Sequence, residues 1–155
     1  KSMLLSVISM ARPKIADYPF TTKTPVLGVT SYRGKSFTVA DLPGLIEGAS
    51  RGAGLGFQFL RHVERTRVFL HLIDLSDQPA AQTYALLRKE LEGYSPDFLN
   101  HPELVVLTKT DLPQVREKLY DAERDLRKLG KEVVSISAKN HNGIETLLRS
   151  ACRLL

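Results

Sequence analysis

The sequence predicts a three-layer α/β domain with a mainly parallel sheet, and three observations predict it. Compact apolar runs at Val68 to Leu75, Glu103 to Leu107 and Val133 to Ile136 have the pattern of strands covered on both faces. Segments of helical period separate or follow them. Two alternating segments, Val26 to Tyr32 and Ser36 to Leu42, flank Arg33-Gly34-Lys35 and read as an antiparallel hairpin at an edge of the sheet.

Each element follows from its pattern. Ala80, Tyr84, Leu87, Leu91 and Tyr94 fall on one helical face, as do Val115, Leu119, Ala122, Leu126 and Leu129. Ile144, Leu147, Leu148, Ala151 and Leu155 give a last apolar stripe, where Cys152 reads as a small apolar residue in a helix. These stripes are expected to be core. Strands alternating with helices imply right-handed crossovers and a parallel sheet with helices on both sides. Gly93 to Pro102 reads as a polar surface loop. The 155 residues, 43% of them hydrophobic, suit one domain, residues 1–155, with a single substantial core.

Composition narrows the functional classes. No apolar run approaches the roughly 20 residues that cross a bilayer, and the N-terminus lacks the regions of a signal peptide, so a soluble, non-secreted protein is expected. The single cysteine excludes an internal disulfide. The formal charge of +5 favours contact with a polyanion. Arg12, Lys14, Lys23, Arg33, Lys35, Arg51, Arg61, Arg65 and Arg67 concentrate positive charge in the first half. A solvated charged face fits them equally, since no aromatic-rich RNA-binding motif accompanies them.

In such a sheet ligands bind beyond the C-terminal ends of the strands, and three of the four loops there carry a motif. Asp41-Leu42-Pro43-Gly44 ends a strand with a carboxylate suited to a metal and a glycine amide suited to a terminal phosphate. Alone it also fits a strand end with a Pro-Gly turn. Thr108-Lys109-Thr110-Asp111 follows another apolar strand. An aspartate there can accept hydrogen bonds from both N1–H and the 2-amino group of guanine, which adenine cannot offer. The stem of Lys109 can lie over the base plane while its ammonium ties neighbouring loops together. Alone, this too could be a charged strand-to-helix turn.

Ser137-Ala138-Lys139 follows the next strand and can present a backbone amide to the guanine carbonyl oxygen, with Ala138 small enough for close approach. Three such loops in order make the first residues informative. Lys1-Ser2 before Met3-Leu4-Leu5 matches the end of G-x-x-x-x-G-K-[ST] entering a helix. Lys1 would reach the β and γ phosphates, and the Ser2 hydroxyl would bind Mg²⁺.

Four stretches make the pattern specific: Lys14 to Thr22 (KIADYPFTT), Ala40 to Ala49 (ADLPGLIEGA), Gly52 to Gly56 (GAGLG) and Phe59 to Arg67 (FLRHVERTR). On these the chain resembles the GTPase domain of the Obg family, bacterial and organellar GTPases linked to large ribosomal subunit assembly. The resemblance implies a P-loop GTPase, Ras-like domain that binds GTP and GDP with Mg²⁺ and hydrolyses GTP to GDP and phosphate. It makes Tyr18 to Thr24 the first switch, with Phe20, Thr21, Thr22, Lys23 and Thr24 at the nucleotide. Thr22 would complete the Mg²⁺ shell with Ser2 and Asp41 and sense the γ phosphate through its amide. Asp41, Leu42, Pro43 and Gly44 open the second switch. Lys1, Thr22 and Gly44 are the expected catalytic groups. Thr108, Lys109, Thr110, Asp111, Ser137, Ala138 and Lys139 complete the nucleotide site.

Leu45 stands where many switch GTPases carry a glutamine that orients the attacking water. Hydrolysis is therefore expected to be slow and to depend on Mg²⁺, Lys1, backbone amides and a monovalent cation such as K⁺ or a partner's residue. A monomer is expected, and the resemblance further implies the large ribosomal subunit or its rRNA as partner, in the bacterial cytoplasm or in an organelle. The chain departs from the family at Thr108, where asparagine is usual. It also begins inside the phosphate loop, so it is expected to be a portion of a longer chain whose first central strand is missing here. A nucleotide-state sensor with little hydrolysis is the alternative. An ATPase is disfavoured by Asp111, and a fragment unable to bind nucleotide is the last possibility.

Overall fold

A computed structural model describes residues 1–15, 25–41, 64–76 and 78–155, without the side chain of Tyr94. The chain divides into two compact units, Lys1–Arg67 with Leu87–Asn100, and Val68–Leu86 with His101–Leu155.

In the first unit, helix α1 (Ser2–Ile8) buries Leu4, Leu5 and Ile8. Their spacing places them on one helical face. Strands β1 (Lys14–Ile15), β2 (Val26–Tyr32) and β3 (Lys35–Asp41) form an antiparallel sheet in that order. The expected hairpin is present, with Tyr32 opposite Lys35 and Val26 opposite Asp41. Arg33 and Gly34 both adopt positive φ, +48° and +80°, which matches the turn to the twist of its strands. The two-residue strand β1, pairing Ile15 with Val26, is not foreseen in the sequence.

Helix α1 lies against β2 at Gly28, where a Cβ would stand 2.0 Å from Ser9 Oγ and 2.9 Å from Leu5 Cδ1. Only glycine lets the helix approach this closely. The buried Thr30 hydroxyl donates to the Ile8 carbonyl at 2.5 Å and so satisfies the end of α1.

The second unit holds strands β4 (Phe69–Asp74), β5 (Glu103–Thr108) and β6 (Val133–Ser135), a parallel sheet in that order. Among the described residues the hairpin and the parallel strands thus belong to two three-stranded sheets. Leu104 to Leu107 are wholly buried, as the continuous apolar run requires of a central parallel strand. Helix α2 (Ala80–Tyr94), which belongs to this unit up to Leu86 and to the first unit from Leu87, buries Ala80, Tyr84, Leu87 and Leu91. Helix α3 (Pro113–Lys128) starts with proline at its first position and buries Val115, Ala122 and Leu126. Helix α4 (Ile144–Leu154) buries Leu147, Ser150 and Ala151 and packs on β5, with Cys152 free and half-buried beside them.

Three expectations are corrected. Leu129, placed in the α3 stripe, is 53% exposed because it caps the helix beyond its last turn; Leu155, placed in the α4 stripe, is 45% exposed one residue past its helix. The segment read as a polar loop contains a 3₁₀ helix, Pro96–Asn100, that buries Phe98, with Arg88 donating to the Leu99 carbonyl at 3.1 Å. One large aromatic is sufficient reason for a polar segment to fold inward.

Candidate functional site

The parallel register aligns the C-terminal ends of β4, β5 and β6, pairing Asp74 with Thr108 and Leu107 with Ser135. The loops that follow therefore emerge at one edge of the second unit, where the sequence places its base-binding motifs.

The loop after β5 is held on both sides. Thr108 donates its hydroxyl to the Ile73 carbonyl at 3.2 Å, tying the end of β5 to β4. Thr110 N–H donates to the Ile136 carbonyl at 3.1 Å, tying the same loop to the end of β6. Lys109 turns the chain with φ +60°, a left-handed conformation that an L-residue adopts at a cost of about 1–2 kcal/mol. The Leu112 N–H to Lys109 carbonyl bond, at 3.0 Å, closes this turn, and α3 follows at once.

Asp111 comes to the Ser137 loop, whose hydroxyl donates to Asp111 Oδ1 at 2.7 Å. Ser137 is fully buried, receives the Asn140 N–H on its Oγ at 3.2 Å and pairs its backbone with Asn142. The Ser137 hydrogen bond holds the Asp111 carboxyl below the ordinary carboxylate range, aided by the positive charges of Lys139 and Arg116. Ala138 is half-buried and Lys139 exposed beside it. Gly143, at the start of α4, has φ +73°, and a Cβ there would lie 2.3 Å from the Ser135 carbonyl oxygen, so this loop can return to the helix only through glycine.

Lys109 Nζ meets Asp74 Oδ2 at 2.5 Å, while Asp74 Oδ1 accepts from the Ser76 N–H at 3.0 Å and the Ser76 hydroxyl at 2.7 Å. Burial pushes the Asp74 carboxyl up, but bonds from Lys109 and Ser76 outweigh it and leave the group below its usual range. Asp74 and Ser76 are the residues that sequence reasoning missed. The only signal for them is an aspartate ending an apolar strand, as Asp41 does.

In the first unit, Lys1 Nζ lies 3.6 Å from Asp41 Oδ1, which is buried and accepts no hydrogen bond among the described residues. A buried carboxylate oxygen left without a donor is suited to a cation, and hard divalent cations take oxygen ligands of this kind. Ser2 is exposed at the first position of α1, beside Lys1. The donor set of Ser2 and Asp41 is compatible with a partly hydrated divalent ion. Phe20, Thr21, Thr22, Lys23, Thr24, Leu42, Pro43 and Gly44, with Leu45, lie outside the described residues. Of the basic residues in the first half, Arg12, Lys14, Arg33, Lys35, Arg65 and Arg67 are exposed.

Solved structures share the fold. The chain is similar to the G domain of the T. maritima FeoB iron transporter, at a TM-score of 0.71 and 20% identity, over 99% of this chain and 90% of that one. The family of 50S ribosome-binding GTPases matches residues 1–109, and the chain belongs to it. It is 48% identical over 153 residues to GTPase Obg of Persephonella marina, covering 96% of this chain and 45% of that protein. To GTPase Obg of Syntrophotalea carbinolica it is 49% identical over 159 residues, covering 100% of this chain and 45% of the relative. The Obg resemblance read from the four stretches is thus borne out, and the chain spans less than half the length of these relatives.

Proposed function

We propose that this chain provides the nucleotide site of a switch that binds GTP with Mg²⁺, hydrolyses it slowly to GDP and phosphate, and acts in large ribosomal subunit assembly. The observation that carries this reading is the Asp111 carboxylate, ionised and oriented by the buried Ser137 hydroxyl at the edge where the three parallel strands end. So fixed, it can accept both the N1–H and the 2-amino hydrogen bonds of guanine. Adenine, with an acceptor at N1 and no 2-amino group, would leave the carboxylate unmatched, which is costly for a charged acceptor.

The remaining roles follow from residue chemistry. The Lys109 stem covers the base plane, and the Ala138 amide faces the guanine carbonyl oxygen. Thr108 braces β4 through Ile73, as a hydroxyl with a single donor can. Lys1 balances phosphate charge, and Ser2, Asp41 and Thr22 hold the metal. Mg²⁺, when bound, neutralises charge on the phosphate oxygens. Leu45 can neither orient nor deprotonate water, so turnover without an activator, K⁺ or a partner's residue is slow. Thr22 and the Gly44 amide sense the γ phosphate. The family description of 50S ribosome binding supports the large subunit as partner and a cytoplasmic or organellar location. No helix among the described residues is long and apolar enough to cross a membrane.

The test is nucleotide competition and single-turnover hydrolysis by the full-length protein, with and without Asp41→Ala. Preference for GTP over ATP, with phosphate release lost in the variant, is expected. Binding without phosphate release would make it a sensor, and preference for ATP would overturn the guanine assignment.

A further inference from the structure

Asp74 lies outside every motif that names the nucleotide site, yet it is joined to that site by a short ion pair to Lys109. Its two oxygens are divided between two tasks. Oδ1 is anchored in its own loop by the Ser76 N–H and hydroxyl, at 3.0 and 2.7 Å, and Oδ2 receives Lys109 Nζ at 2.5 Å. The anchoring gives the carboxylate one orientation, and strand pairing sets its distance from Lys109, since Asp74 is opposite Thr108 in the ladder. Lys109 needs such a hold. Its backbone is left-handed, and its long side chain, 58% exposed, carries large rotamer freedom that must be lost before it can lie over a base.

We propose that Asp74 is a positioning residue for the purine: by pinning the Lys109 ammonium it holds the lysine stem where it covers the base plane. This rests on the guanine-site reading above and deepens it. Because the stem touches the ring face and not its edge, the pin acts on purine binding as such. Choice among purines stays with Asp111, whose hydrogen bonds go to the edge.

The test uses GDP and IDP with Mg²⁺, bound by the full-length protein and its Asp74→Ala, Asp74→Asn and Lys109→Met variants. Inosine lacks only the 2-amino group, so the ratio of GDP to IDP affinity reports Asp111, while the common affinity reports the stem. Asp74→Ala is expected to weaken both nucleotides about fivefold, the upper range for a partly exposed ion pair, with the ratio unchanged. Asp74→Asn, which keeps a hydrogen bond but not the charge, should fall between. In Lys109→Met, whose thioether stem has no ammonium to pin, adding Asp74→Ala should cost nothing further, as coupled residues require. Unchanged affinity in Asp74→Ala, a shifted GDP to IDP ratio, or additive losses in the double variant would each overturn the proposal. If the unaltered protein shows no preference for GDP over IDP, the guanine-site reading itself fails, and that outcome is visible before any variant is made.

Discussion

Ser137 donates its hydroxyl to Asp111 Oδ1 at 2.7 Å while its own oxygen receives the Asn140 N–H, so two loops 26 residues apart share one buried hydroxyl. The serine fixes the direction of the carboxylate and holds it below the ordinary carboxylate range. Its loop in turn depends on the left-handed Gly143 that starts α4.

The first consequence concerns base choice. In Asp111→Asn the side chain offers one acceptor and one donor in place of two acceptors. Xanthine keeps N1–H but carries a carbonyl where guanine has its 2-amino group, so it matches asparagine. GTP affinity is expected to fall roughly 100-fold, two charged hydrogen bonds at the lower end of their range, while XTP binding rises. Competition between the two nucleotides measures the exchange.

Removing the hydroxyl should change the titration of the carboxylate. The Ser137 bond lowers the Asp111 pKa from 3.8, so Ser137→Ala is expected to move it upward. Carboxyl carbon shifts followed by NMR against pH would show this, and an unmoved midpoint would contradict the assignment. GTP affinity should fall in the same variant because the carboxylate loses its orientation.

Glu103 tests the far end of the parallel sheet, at the start of β5. Its Oε1 accepts from Tyr84 at 2.5 Å and Lys131 at 2.6 Å, and its Oε2 lies 3.0 Å from His71 Nε2. Burial pushes this carboxyl up, but bonds from His71, Lys131 and Tyr84 outweigh it and hold it far below 4.5. The native state therefore binds fewer protons than the unfolded chain. The associated stability is complete above pH 4.5 and declines as the pH falls below it. Glu103→Ala is expected to cost about 3 kcal/mol, since it strands His71 and Lys131. Glu103→Gln should flatten the acid side of the stability curve measured by urea unfolding.

Gly143→Ala places a methyl group 2.3 Å from the Ser135 carbonyl oxygen at φ +73°. Left-handed strain and overpacking together should cost about 3 kcal/mol and lower Tm by roughly 6–12 °C. Gly130→Ala shares the positive φ but meets nothing within 4 Å, so the smaller loss expected there isolates the steric part.

Much of the fold was legible in the sequence because strand and helix signals are local. The run Glu103 to Leu107 announces a buried parallel strand, and Arg33-Gly34 announces its hairpin. Phe98 was not legible, because one aromatic in a polar segment has no period to betray its burial. Neither was the exposure of Leu129, which keeps the helical spacing but lies one residue beyond the helix.

The sequence by itself determined the class of ligand chemistry. A guanine-matching aspartate, a small-residue loop and a Lys-Ser pair each sit in a few consecutive residues at a predicted strand or helix end, and their identity is enough to state what they can bind. Tertiary structure decided what orients them. The pairs Asp74 with Lys109 and Ser137 with Asp111 join residues 35 and 26 positions apart, and strand register together with the turns that follow the strands brings them within 2.5 and 2.7 Å. An ion pair or hydrogen bond of that kind leaves no periodic trace in the chain, because it depends on which strands lie side by side.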